Sequence, residues 1–196
     1  MRLSLFTWLD SSPTHYAGVA WSVFAAVGLA ALVPLAPRLP KILRHAALFG
    51  GLLLLCLLAF RWPALLDNRQ FFDPDESQLM SGALVLRQDP HFWRSVDGTT
   101  HGPLAEWAIL LPSLFTAQID YTLARTVGVA LVWLSLLAAW SVFRRFFPKY
   151  QARLLLLPLL ATHAFTNFAG FVQYGSELVP AALIAIGCAF LLTALP

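Results

Sequence analysis

Long apolar runs separated by short polar stretches set the plan of this chain. The first candidate span is Tyr16 to Ala36, closed by Pro34 and Pro37. Tyr16 and Trp21 suit a membrane–water interface at one end of it. The second is Ala46 to Trp62, with GGLLLLCLLAF at its heart. Arg61 and Trp62 read as snorkelling and belt residues at its far end. Thr126 to Phe143, Leu154 to about Phe171, and Leu178 to Leu195 follow as further spans. Leu104 to Phe115 is apolar but short, and it carries Glu106 and Pro112. Met1 to Pro13 is mixed and is expected to be an uncleaved surface segment, because Asp10, Ser11, Ser12 and Pro13 interrupt its apolar residues.

The longest polar interval runs from Phe71 to Leu104 and holds five of the ten acids in the chain: Asp73, Asp75, Glu76, Asp89 and Asp97. Within it, Asp73-Pro74-Asp75-Glu76 spells a helix start. Asp73 is the expected N-cap, Pro74 the first helical residue, and Glu76 the capping-box partner. The helix is expected to reach about Arg87, with Leu79, Met80, Ala83, Leu84 and Leu86 on an apolar side lying along the membrane surface. Asp89-Pro90 ends it, and Asp97-Gly98 and His101-Gly102-Pro103 mark bends.

Composition agrees with the pattern. The chain is 59% hydrophobic and 12% charged, with a mean hydropathy of +0.70. Ordinary soluble domains carry about 25% charged residues. The expected fold is an all-α integral membrane protein, a polytopic bundle of about five transmembrane helices with juxtamembrane or amphipathic helices in the first large outer loop. Residues 1–196 read as a single transmembrane domain, with loop 63–103 carrying the candidate site. Cys56 and Cys188 lie inside apolar runs and read as small buried hydrophobes. The net charge of +3 comes from basic residues at the ends of apolar runs, so nucleic acid is not an expected partner.

Charge also orients the spans. Arg38, Lys41, Arg44 and His45 form one basic loop, and Arg144, Arg145, Lys149 and Arg153 another. Both are expected on the cytoplasmic side. Two loops on one side are separated by an even number of crossings, which Ala46–Trp62 and Thr126–Phe143 already supply. Leu104–Phe115 is therefore expected to be re-entrant or juxtamembrane, entering and leaving on the outer side. The acids before it, and Glu177, then share the outer face.

Acids at a membrane surface invite a general-base reading: a carboxylate takes the proton of an acceptor hydroxyl as that hydroxyl attacks a sugar carbon. A basic neighbour such as His101, Arg94 or Arg125 can hold a leaving phosphate. Alternatively Asp75, Glu76 and His101 are candidate ligands for a divalent metal. Purely structural roles stand beside these. Capping and the helix dipole account for Asp73, Asp75 and Glu76, and His101 fits a turn. His163 and Asn167, inside a span, are the one pair that a transporter would use.

Taken together, DPDESQLMSGALVLRQD, DGTTHGPLAEW, LAR at Leu123–Arg125 and YGSELVPAALIAIG resemble, in that order, the GT-C superfamily of membrane glycosyltransferases. The protein mannosyltransferase and lipid A aminoarabinose transferase group is the nearest in pattern, over about Asn68 to the C-terminus. The resemblance implies an inverting glycosyltransferase with Asp75 as catalytic base and Glu76 as its partner in the site. His101, Arg125 and Glu177 would bind substrate. It implies a polyprenyl-phosphate-linked sugar donor, a hydroxyl acceptor on a lipid, glycan or protein, and contact with membrane lipids. The expected location is a bacterial inner membrane with the site outside. Gly102 stands where the group has the first proline of its Pro-Pro-Leu motif, and Glu177 where it often has Asp. Members of that group are much longer, so this chain is expected to match only the N-terminal part. The alternative is a small non-catalytic membrane protein or fragment with a structural or partner-docking acidic loop.

Overall fold

A computed structural model describes residues 12–66, 73–96, 98, 101–116, 118–166 and 173–194. No strand occurs among them. The expected surface segment before Ser12, Asn167 and the end of the fourth run at Phe171 lie outside the described residues.

Helix α1, Pro13–Leu32, starts earlier than its apolar run. The Ser12–Pro13 pair, read above as an interruption, is its start signal. The Ser12 hydroxyl accepts from the Thr14 N–H at 3.3 Å and Pro13 takes the first turn, where it has no bond to lose. Helix α2, Ala46–Leu66, runs four residues beyond Trp62. Pro63 removes one backbone bond in its last turn without ending it. Helix α3, Pro74–Gln88, is followed by a single turn, α4, Phe92–Ser95, and by α5, Leu104–Ser113. Helix α6, Tyr121–Phe146, opens with Asp120 as N-cap, its carboxylate accepting from Leu123 N–H at 2.8 Å. The end of the second basic stretch, expected as loop, forms α7, Lys149–Leu154, and the fourth run forms α8, Leu156–Phe165. Helix α9 is Leu178–Ala194.

Among the described residues, three helices are long and apolar enough to cross a membrane: α1 with its short continuation to Leu35, α2, and α6. At about 1.5 Å per residue, the ten residues of α5 reach only about half of a 30 Å hydrocarbon core. That length agrees with the expectation that Leu104–Phe115 does not cross.

The long helices and α8 share a core. Leu53, Cys56 and Leu57 of α2, Leu136 and Trp140 of α6, Val27 of α1, and Leu156 and Leu160 of α8 are buried together. An aromatic cluster ties α1 and α2 to α8: Phe165 lies 4.6 Å from Trp21, 4.7 Å from Phe24 and 4.9 Å from Phe60 between ring centres. Arg61 does not snorkel. It is buried and donates to the carbonyls of Thr166, at 3.1 Å, and His163. A guanidinium enclosed by α8 finds its acceptors in the carbonyls that end that helix.

The bundle has two chemically distinct ends. At one, Thr122 at the head of α6 donates to Leu65 O at the tail of α2, at 2.9 Å. Gly128 faces Leu178 and Tyr174 there. At the other, Arg153 donates to Ala30 O at 2.8 Å and Arg44 O at 3.0 Å, joining the two basic loops. Arg145 reaches Thr193 O at the tail of α9. Helices α6 and α9 therefore run side by side in the same direction. Among the described acids, all seven fall in 73–120 or at Glu177, and none lies in either basic loop. The ends are called acidic and basic below.

Candidate functional site

The head of α3 is built as its sequence reads. Asp73 caps it, its carboxylate accepting from Asp75 N–H at 2.9 Å, and Pro74 takes the first turn. Glu76 departs from the expected capping box. Its side chain is fully buried and turns inward, where Arg125 of α6 donates to it from Nη2 at 2.8 Å and from Nε at 3.1 and 3.2 Å. Arg125 also donates to Ala64 O at 2.7 Å, and its guanidinium lies 5.2 Å from the Tyr121 ring centre. Tyr174 N–H gives Glu76 a further bond at 2.9 Å. One carboxylate thus joins α3, α6 and the segment before α9.

A second buried pair lies beside the first. His101 Nε2 and Glu106 Oε1 are 2.5 Å apart, with side-chain exposures of 6% and 0%. The other Glu106 oxygen is buried without a hydrogen-bond partner among the described residues. Glu106 fits because α3 has a glycine opposite it. A Cβ on Gly82 would stand 2.9 Å from Glu106 Cγ, so the helices approach closely only without a side chain there. Tyr174 bridges the pairs. Its N–H serves Glu76, and its hydroxyl donates to Ala105 O at 2.7 Å. Burial, with Glu106 nearby, keeps that phenol protonated well above the usual tyrosine range.

Helix α3 is amphipathic as expected, but its apolar side meets protein. Leu79, Met80 and Ala83 pack with Ala105 and Ile109 of α5, and Leu86 with Leu110 and Phe92. Leu84, expected on the same side, is exposed. Past the end of α3, Asp89 gathers α4 around its carboxylate. Arg94 donates at 2.6 and 3.0 Å, His91 Nδ1 lies 2.8 Å away, and the Ser95 hydroxyl also donates to it. These bonds hold the Asp89 carboxyl well below the usual range.

The five residues singled out from sequence therefore separate. Glu76 and Arg125 meet each other, not solvent, and both oxygens of Glu76 are engaged. His101 meets Glu106. Asp75 is exposed at the second position of α3, and Glu177 is exposed just before α9, its carboxylate lying over Gly175. No group of three His, Cys, Asp or Glu residues is close enough to hold a metal among the described residues, and the candidate trio Asp75, Glu76 and His101 is not assembled. Arg125 is 1% exposed, with its guanidinium turned to Glu76 and Ala64 O rather than to open solvent.

Sequence reasoning passed over Glu106, Gly82 and Tyr174. Glu106 had a visible signal, an acid inside an apolar run. Beneath the pairs, Arg61, Arg125, His163 and Gln173 line a cavity with room for about one water molecule. Comparison with family models, curated proteins and solved structures returns no significant match.

Proposed function

We propose that this chain acts as a GT-C-like glycosyltransferase module, moving a sugar with inversion from a polyprenyl-phosphate carrier to a hydroxyl on a lipid, glycan or protein. Asp75 is the base. The observation that carries this reading is the contrast between adjacent residues. Glu76 is locked to Arg125 and Tyr174, which fixes the head of α3. Asp75, one residue earlier, is left facing outward. Rigid support under a solvent-facing carboxylate is what a positioned base requires. Glu76 and Arg125 then act through Asp75 as positioning residues. His101, oriented by Glu106, stands closest in type to a donor-phosphate contact, and Glu177 completes the acidic end.

In this reading the run from Leu154 through α8, and helix α9, also cross the membrane, giving five spans. The basic end faces the cytoplasm and the acidic end the outside of a bacterial inner membrane. The test is sugar transfer from a polyprenyl-phosphate donor, measured in membranes holding equal amounts of each variant. Asp75→Asn is expected to lower transfer by about 10²–10⁴-fold, the usual contribution of a general base. Undiminished transfer in Asp75→Asn overturns the assignment.

A structural or partner-docking role for the acidic loop is the second reading. What favours it is that capping and ion pairing employ Asp73, Glu76, Asp89 and one oxygen of Glu106. It predicts that Asp75→Asn does little to stability, within about 0.5 kcal/mol, while Asp73→Ala costs about 0.5–2 kcal/mol for the lost cap.

A further inference from the structure

The two basic loops lie far apart in sequence and close together in the fold. Lys41, Arg44 and His45 from the α1–α2 connection meet Arg144 at the tail of α6 and Lys149 and Arg153 of α7 around a pocket of about 280 Å³. That is near the lower end of the roughly 300–1,000 Å³ range of small-molecule sites. Trp140 and Ala46 complete the lining, and no acid takes part. The pocket is built, not a chance gathering of surface charge. Arg153 is 3% exposed, its guanidinium bonded to Ala30 O and Arg44 O and lying 4.6 Å from the Phe49 ring centre. Arg144 stands 5.6 Å from the Trp140 ring centre. Ala47 N–H donates to His45 Nδ1 at 3.2 Å, which puts the proton of the neutral imidazole on Nε2 and leaves that atom a donor. Ala46 opens a 21-residue helix, whose dipole favours an anion at this point.

Two further observations point to a ligand. Arg44 Nε is buried without a hydrogen-bond partner among the described residues. No described carboxylate pairs with Lys41, Arg44, Arg144 or Lys149. Five full positive charges around one pocket repel unless an anion sits among them. The position selects the kind of anion. The pocket lies at the ends of α2 and α6, both long enough to cross a membrane, and so at headgroup depth. Ile42, Phe146 and Phe147 beside it are exposed apolar residues, placed to meet acyl chains.

We propose that this pocket binds the phosphate of an anionic membrane lipid, seating its headgroup among Lys41, Arg44, Arg144 and Lys149. The site is independent of the glycosyltransferase reading and lies at the opposite end of the molecule.

Native mass spectrometry of the full chain, released from neutral detergent with phosphatidylglycerol or phosphatidylcholine of matched chains, tests this. The wild type is expected to retain phosphatidylglycerol preferentially. The triple variant Lys41→Gln/Arg144→Gln/Lys149→Gln alters only exposed side chains and should keep its helical circular dichroism. It is expected to lose at least about tenfold of that preference. Arg144→Gln alone should lose part of it. Arg38→Gln, a basic residue of the same loop outside the pocket lining, should lose none. Retained preference in the triple variant, or an equal loss in Arg38→Gln, overturns the proposal. A rise in Tm of the lipid-free protein with inorganic phosphate, without lipid preference, would assign the pocket to a soluble phosphate and likewise overturn it.

Discussion

The acidic and basic ends handle charge in opposite ways. At the acidic end each buried carboxylate has a partner supplied by the chain: Glu76 with Arg125, Glu106 with His101. At the basic end cations gather with no described carboxylate near them, and only carbonyls and aromatic rings meet Arg153. Internal pairing rigidifies and closes a region; unpaired charge of one sign leaves it dependent on something outside. One end is thus organised by the sequence itself, the other by its surroundings.

The sharpest way to break this contrast is to remove half of the Glu76–Arg125 pair. Leaving one buried charge without its partner is expected to cost about 3–5 kcal/mol, so Arg125→Ala or Glu76→Ala should lower stability steeply in urea unfolding from micelles. Glu76→Leu with Arg125→Met should recover much of the loss, short of the bonds that Ala64 O and Tyr174 N–H give up. Arg144→Ala at the basic end should stay within about 0.5 kcal/mol in lipid-free detergent. Equal losses at both ends would erase the distinction.

The next effect down concerns how closely the acidic end is packed. Gly82→Ala places a methyl 2.9 Å from Glu106 Cγ and 3.2 Å from Val96 Cγ1. Helix α3 must then move off α5 or displace Glu106 from His101. Overpacking of this kind is expected to cost about 1–3 kcal/mol by the same unfolding measurement. A stabilised Gly82→Ala variant would mean that helix propensity outweighs the close approach. Smaller again is Asp73→Ala, expected to cost about 0.5–2 kcal/mol for one lost cap. Asp75→Asn beside it should stay within about 0.5 kcal/mol, since the carboxylate faces water.

These residues also mark what the sequence made legible. The Asp73 cap, the end of α3 at Asp89 and the short reach of Leu104–Ser113 could be read because each depends on neighbours a few positions away. The convergence of the basic loops was legible as a shared side, not as a pocket, because charge bias carries no distance. Glu76 misled because Asp-Pro-Asp-Glu satisfies a local rule. Its partners, Arg125 and Tyr174, lie 49 and 98 residues on, and nothing local announces them. Gly82 looked like an ordinary helix glycine until α5 was placed against it. The helix Lys149–Leu154 was equally silent, since charge bias marks the basic stretch before the fourth run as a loop and does not report a short helix within it.

The smallest effect tests the edge of the acidic end through pH. Three neighbours hydrogen-bond the Asp89 carboxylate and lower its folded pKa below the unfolded value of about 3.9. A depressed folded pKa means that the stabilisation is complete above the unfolded value and is lost as pH falls through the folded one. The wild type should therefore exceed Asp89→Asn in stability by a constant margin above about pH 5. Below about pH 4 the two curves should draw together as the carboxyl takes up its proton. The margin should also shrink in high salt, because Asp89 and Arg94 are partly exposed to water. A margin independent of pH down to pH 2 would show that shape, not charge, holds α4 at the end of α3. The acidic end would then be organised by two ion pairs rather than three.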